Sequence, residues 1–140
     1  DFGPFMRDYE LDGLSGSSWF FFSALITIAC FPKWAAALGM IYLALGDPLA
    51  SFVGVRWGKI KLPGGKSLEG SIALALICGV AGTILLTTAA GMALPLAAGV
   101  AFATAVTAAV AEWLPLKKLD DNFTVPILTG AMAAFLLALV

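Results

Sequence analysis

Apolar residues in this chain gather into five long runs, each stopped by a short polar or glycine- and proline-containing interval. The runs are Ser17 to Phe31, Trp34 to Val53, Gly70 to Ala89, Ala93 to Leu114 and Phe123 to Val140. Such runs approach or reach the roughly 17 to 25 residues that carry a helix across a bilayer. The pattern predicts an all-α integral membrane protein, a bundle of about five transmembrane helices forming one domain over residues 1–140. The second run contains Gly46-Asp47-Pro48, where a proline without an N–H clashes with the preceding turn, so this helix is expected to kink or break there. A start at Asp1 rather than Met leaves room for a preceding segment, including another helix, and nothing resembles a cleavable signal peptide.

Composition agrees with this class: 61% of residues are hydrophobic and 12% charged, with a mean hydropathy of +0.98. The net charge of −1 says little, but its distribution says more. If each run crosses once, Arg7, Arg56, Lys59, Lys61, Lys66, Lys117 and Lys118 share one side and Lys33 stands alone on the other. The positive-inside rule makes the first side cytoplasmic. The nine acidic residues lie on that side or in helix ends opening toward it, so the working face is expected to be cytoplasmic. No histidine is present, which excludes Ser-His triads, His-ligated zinc and His general bases. Cys30 and Cys78 lie in apolar company at different depths and read as packing residues rather than a disulfide or metal pair. The Ala-, Gly- and Thr-rich last three runs suit close helix packing in lipid.

Polar chemistry concentrates in three places. Asp47 is an ionisable group inside an apolar run, next to backbone carbonyls that Pro48 would free; it reads as a cation or proton site, or as a cap of the second half-helix. Arg56 and Lys59 precede Gly64-Gly65-Lys66-Ser67, which runs into the third helix. Glycines that allow close approach, an N-cap serine, a lysine and the free N–H groups of a helix start make a phosphate cradle; a loop touching anionic headgroups is the alternative. Lys61, five residues from that helix start, is expected to matter less than Lys66. The stretch is not a Walker A motif, because Ile60 stands where its first glycine belongs and no strand precedes it. Finally, Glu112, Asp120, Asp121 and Asn122 offer the hard oxygens that Mg²⁺ accepts, with a helix N-cap as the alternative for the last three.

The pattern GDPLASFVGVRWGKIKLPGGKSLEGS, followed about fifty residues later by DDNFTVP, resembles the membrane lipid kinases that include dolichol kinase, phytol kinase and the CTP-dependent diacylglycerol kinase. Arg7 and Glu10 resemble an upstream Arg/Glu element, Asp47 its Gly-Asp element, and Gly54 to Gly58 its Gly-x-x-x-Gly continuation. Lys66, Ser67, Glu69 and Gly70 match Lys-Ser-x-x-Gly, and Asp121, Asn122 and Pro126 match Asp-Asn-x-x-x-Pro. The resemblance implies transfer of the γ-phosphate of a nucleotide, typically CTP, to the hydroxyl of a membrane lipid alcohol (polyprenol or dolichol, phytol, or diacylglycerol) with Mg²⁺. Phosphoryl transfer is mainly positioning and charge neutralisation. Lys66, Lys59 and Arg56 would then hold phosphates with Gly64, Gly65, Ser67 and Asn122 nearby, and Asp47, Asp121 and Glu69 would hold the metal. It also implies further helices before this core, and a lipid portal completed by them or by a second copy in a homodimer. Nucleic acid is not an expected partner. Two rivals share these parts: a cytidylyltransferase attacking the α-phosphate of CTP, whose Asp-Arg and paired-Asp signature is absent, and a small ion-coupled transporter with its cation at Asp47.

Overall fold

The computed structural model describes residues 15–113 and 119–140. Arg7, Glu10, Lys117 and Lys118 lie outside the described residues. The described residues form five helices: α1 (Gly16–Cys30), α2 (Lys33–Trp57), α3 (Leu68–Thr88), α4 (Leu94–Ala111) and α5 (Asp121–Leu137). Three of these, α2, α3 and α4, are long and apolar enough to cross a membrane. At 15 and 17 residues, α1 and α5 are shorter apolar helices.

Helix α2 carries on through Gly46-Asp47-Pro48. The interruption expected there takes the form of a π turn over Tyr42–Gly46 within a continuous helix, not a break. A proline deprives the carbonyl four residues back of its donor and crowds it, and a wider turn just upstream relieves that crowding. The Cys78 thiol, 3.7 Å from the Tyr42 carbonyl, supplies a weak donor at the same turn.

Helices α2 to α5 pack around a core of Leu38, Tyr42, Leu74, Cys78, Ala101, Ala105 and Val125, all 1% exposed or less. The small residues predicted to bring backbones close do so. A Cβ on Gly39 would sit 2.6 Å from the Pro126 carbonyl of α5, so α2 and α5 touch backbone to backbone. The Tyr42 hydroxyl donates to the Ala101 carbonyl at 2.9 Å, which satisfies the one polar group in this core layer of α2. Helix α1 packs on α5 and α2 from outside and runs parallel to α5: Ser23 meets Asn122, and Phe31 lies where a side chain on Gly130 would be. Both cysteines are free, Cys78 buried and Cys30 exposed.

The ends of these helices set the level of the site. Asp47 lies ten residues before the end of α2, about 15 Å along its axis; Asp121 at the start of α5 and Glu112 at the end of α4 meet the same lysine, while α3 begins further along α2, against Gly54. The start of α3 packs on the last turns of α2, Gly70 against Ala50 and Ser67 against Gly54 and Gly58, and the chain folds back beyond them through residues 58–67.

Candidate active site

That return is a tight hairpin. The Leu62 N–H bonds the Lys66 carbonyl and the Leu68 N–H bonds the Ile60 carbonyl, both at 3.0 Å, with Lys61 and Ser67 bridged antiparallel. Pro63–Gly65 forms the turn, and Gly65 has φ +79°, a left-handed conformation that closes a three-residue loop and that glycine adopts without strain. Ser67 then caps α3, its hydroxyl accepting from the Gly70 N–H at 3.1 Å. The Gly-x-x-x-Gly pair has a packing role: a Cβ on Gly54 would meet Ser67 Oγ at 2.8 Å, and one on Gly58 would meet Ser67 Cβ at 2.7 Å and collide with the Gly54 carbonyl. Gly70 does the same on the other side, 2.7 Å from the Ala50 carbonyl.

This close packing delivers Lys66 into the bundle. Its ammonium lies 2.7 Å from Asp121 Oδ2, 3.6 Å from Asp47 Oδ1 and 3.8 Å from Glu112 Oε1. One lysine thus joins the middle of α2, the residue after α4 and the first residue of α5. Burial pushes the Lys66 ammonium down, but the attraction of Glu112, the hydrogen bond to Asp121 and the charges of Asp121 and Asp47 outweigh it and raise its pKa. Glu112 behaves differently. Its side chain is 1% exposed, and burial pushes its carboxyl up to about 7; Lys66 opposes this, and the charges of Asp47 and Asp121 add to it. Its Oε1 has no hydrogen-bond partner, since 3.8 Å is within Coulombic reach of Lys66 and beyond hydrogen-bond distance. A relay fixes the turn that carries it: Trp113 Nε1 donates to Ser71 Oγ at 2.8 Å, and Ser71 donates to the Ser67 carbonyl at 3.1 Å.

Beside Lys66 opens a cleft of about 160 Å³, walled by α2 at Ser51 and Val55, by Lys61 and Gly65 of the hairpin, by Ser67 and Ser71, and by Glu112. Lys61, expected to matter less, is in this wall because the hairpin pairs it directly with Ser67.

The remaining expected residues fall elsewhere. Glu69 is not among the carboxylates at Lys66; both its oxygens lie 3.4 Å from the Ile60 N–H at the surface. It sits one position before Gly70, about 100° around α3 from the face packed on α2. Arg56 is exposed in the last turn of α2, 5.6 Å from the Trp57 ring, and Lys59 is exposed beyond it; neither lines the cleft. The N–H groups of Leu68, Gly70 and Ser71 that would cradle a phosphate are already bonded, to the Ile60 carbonyl, Ser67 Oγ and the Ser67 carbonyl. Asp120 is the N-cap of α5, accepting from the Asn122 N–H at 2.9 Å.

For a divalent cation the donor set is partial. Among the described residues no three acidic or thiol side chains are close enough together to hold an ion by themselves. Asp47, Asp121 and Glu112 all flank the Lys66 ammonium, so an ion bound here would sit beside that cation and take one or two of these carboxylates. That suits Mg²⁺, which binds one or two carboxylates and takes phosphate and water for the rest.

Fold and site define a helical membrane protein whose polar centre is a lysine among three carboxyl groups, next to an open cleft. No family model matches the chain, and no solved structure matches it. The chain is similar to CTP-dependent diacylglycerol kinase 1 of Schizosaccharomyces pombe, 28% identical over 143 residues that cover 93% of this chain and 64% of the relative. It is also similar to the protein of that name from Saccharomyces cerevisiae, 26% identical over 146 residues covering 91% of this chain and 50% of the relative. These similarities bear out the resemblance to membrane lipid kinases that the motifs carry. The chain spans half to just under two thirds of the length of the relatives it matches.

Proposed function

We propose that this chain forms the catalytic core of a CTP-dependent lipid kinase that transfers the γ-phosphate of CTP to the hydroxyl of a membrane lipid alcohol. Diacylglycerol is the acceptor favoured by the names of the two relatives. The observation that carries the reading is the placement of Lys66, held among Asp47, Glu112 and Asp121 at the edge of the cleft.

In this reading the triphosphate enters the cleft between Lys61 and Lys66, and Ser51 and Ser67 offer hydroxyls along its wall. Lys66 stays protonated and supplies a fixed positive charge to the transferring group. Asp47 and Asp121 would hold Mg²⁺, which when bound supplies charge neutralisation to the phosphates. The lipid hydroxyl forms the new bond to the γ-phosphorus, the bond to the β–γ bridging oxygen breaks, CDP leaves, and the hydroxyl proton passes to a carboxylate of the cluster. The acceptor arrives along the exposed stripe Leu45, Leu49, Phe52 and Val55 of α2, which ends at the cleft where Val55 is 90% exposed. The site opens to the cytoplasmic side, the side favoured by the basic residues.

The test is transfer of label from CTP to diacylglycerol, phytol and polyprenol in the presence of Mg²⁺. Label moving from the γ position, and lost by orders of magnitude in an Asp47→Asn variant that inserts and purifies normally, is the expected result. Label moving from the α position would make the protein a cytidylyltransferase. Near-normal turnover in Asp47→Asn would reduce Asp47 to a structural carboxyl.

A further inference from the structure

Pro126 lies inside α5, four residues after Asn122. A helical carbonyl accepts from the N–H four residues on, so the proline strips the Asn122 carbonyl of its regular donor, at the turn that also carries Asp121. Where packing keeps water out, a neighbouring serine or threonine is one of the few groups that can replace a missing donor. The structure contains such a group: Ser23 of α1, 0% exposed, has its hydroxyl 2.6 Å from the Asn122 carbonyl. That hydroxyl also lies 2.9 Å from the Phe20 carbonyl of its own helix. Phe20 keeps the regular helical donor at position 24, whereas Asn122 lacks one, and the shorter contact is to Asn122. One turn away the Trp19 and Phe123 rings meet edge to face with centroids 5.2 Å apart, which fixes the same pair of helices in register.

We propose that Ser23 is a positioning residue for the site. It closes the gap Pro126 leaves in the first turns of α5 and so holds Asp121 at its 2.7 Å contact with Lys66. The four-residue spacing of Asn122 and Pro126 thereby gains a physical purpose: it creates a carbonyl that only an outside helix can satisfy, and ties α1 to the catalytic turn. This inference rests on the proposed kinase reading for its effect on turnover, but the hydrogen bond itself can be tested without it.

The experiment is a cycle of Ser23→Ala, Ser23→Thr, Pro126→Ala and the Ser23→Ala/Pro126→Ala pair in the full chain, reconstituted in bilayer discs. Hydrogen exchange of the first two turns of α5 is read alongside CTP-dependent phosphorylation of diacylglycerol. Ser23→Ala is expected to speed exchange in that segment about tenfold and to lower kcat by a similar factor with KM for CTP little changed, the effect of one lost buried hydrogen bond. Ser23→Thr keeps the hydroxyl and should restore both. In the Pro126→Ala background residue 126 has an N–H, the Asn122 carbonyl regains its helical donor, and removing Ser23 should then cost nothing further. Equal losses from Ser23→Ala in both backgrounds, or loss spread evenly over all five helices, would overturn the proposal. Should Pro126→Ala fail to fold, failure of Ser23→Thr to restore what Ser23→Ala loses overturns it instead. If the unaltered chain phosphorylates no lipid alcohol, the kinase reading fails, while the exchange data still decide the role of Ser23.

Discussion

Lys66 and Glu112 are the residues whose environments matter most. If Lys66 supplies charge to the phosphates, Lys66→Ala should lower kcat/KM by at least a hundredfold, and Lys66→Arg should restore little, because a planar guanidinium cannot take the place of a compact ammonium among Asp47, Glu112 and Asp121. Lys61→Ala should now cost about tenfold, chiefly in KM for CTP, since the hairpin places it in the cleft wall; an unchanged KM would return it to the lipid-facing loop. Glu112 adds a pH signature. Its folded pKa of about 7 lies above its ordinary value of 4.5, so the folded protein holds this proton more tightly than the unfolded chain. That contribution to stability is fully present below about pH 4.5 and is lost as pH rises through about 7. Glu112→Gln cannot lose it. The melting temperature of the nucleotide-free protein in detergent should therefore fall between pH 5 and pH 8 more steeply in the unaltered chain than in this variant, and parallel curves would contradict the buried, proton-holding carboxyl.

Among the elements, the contact of α2 with the hairpin and the start of α3 decides whether a site exists. Gly58 has no room for a side chain: a Cβ would collide with the Gly54 carbonyl and stand 2.7 Å from Ser67 Cβ. Gly58→Ala should destabilise the protein by about 1–3 kcal/mol, the usual cost of forcing extra volume into a packed contact. Because Ser67 adjoins Lys66, activity should fall with stability, as read by thermal melting and turnover on the same samples. Gly65→Ala meets nothing within 4 Å and is penalised by its positive φ alone, so it should cost less. Much of this level was legible in the sequence. Ser67 read as a helix cap and is one, and Gly46-Asp47-Pro48 read as a local disruption of a helix and is one. The π turn was not legible, since proline says that a helix must yield and its neighbours decide whether it bends, breaks or widens.

At the scale of the whole molecule, the hairpin, the end of α4 and the start of α5 meet at Lys66, which puts residues 58–67 and 119–121 on one side. Single cysteines at Lys61 and Leu119, both exposed, in a background with Cys30 and Cys78 replaced, should react with an impermeant thiol reagent from the same side, the cytoplasmic one. Reaction from opposite sides would dismantle the site. The sequence by itself determined the class, since apolar runs of bilayer length leave only helices as a way to satisfy the backbone, and it determined which residue types carry the chemistry, since charge inside such runs is costly and stays few. It could not determine which charges meet. Glu69 and Lys66 are three residues apart and part company because Lys66 ends the extended return of the hairpin, before the Ser67 cap, whereas Glu69 lies in the first turn of α3. Glu112 and Lys66 are 46 positions apart and come within 3.8 Å because Gly54, Gly58 and Gly70 let α2, the hairpin and α3 close to backbone distance. Only the packed bundle fixes that approach, because it depends on space left empty by three glycines at once, and no single stretch of sequence contains all the surfaces that fill it.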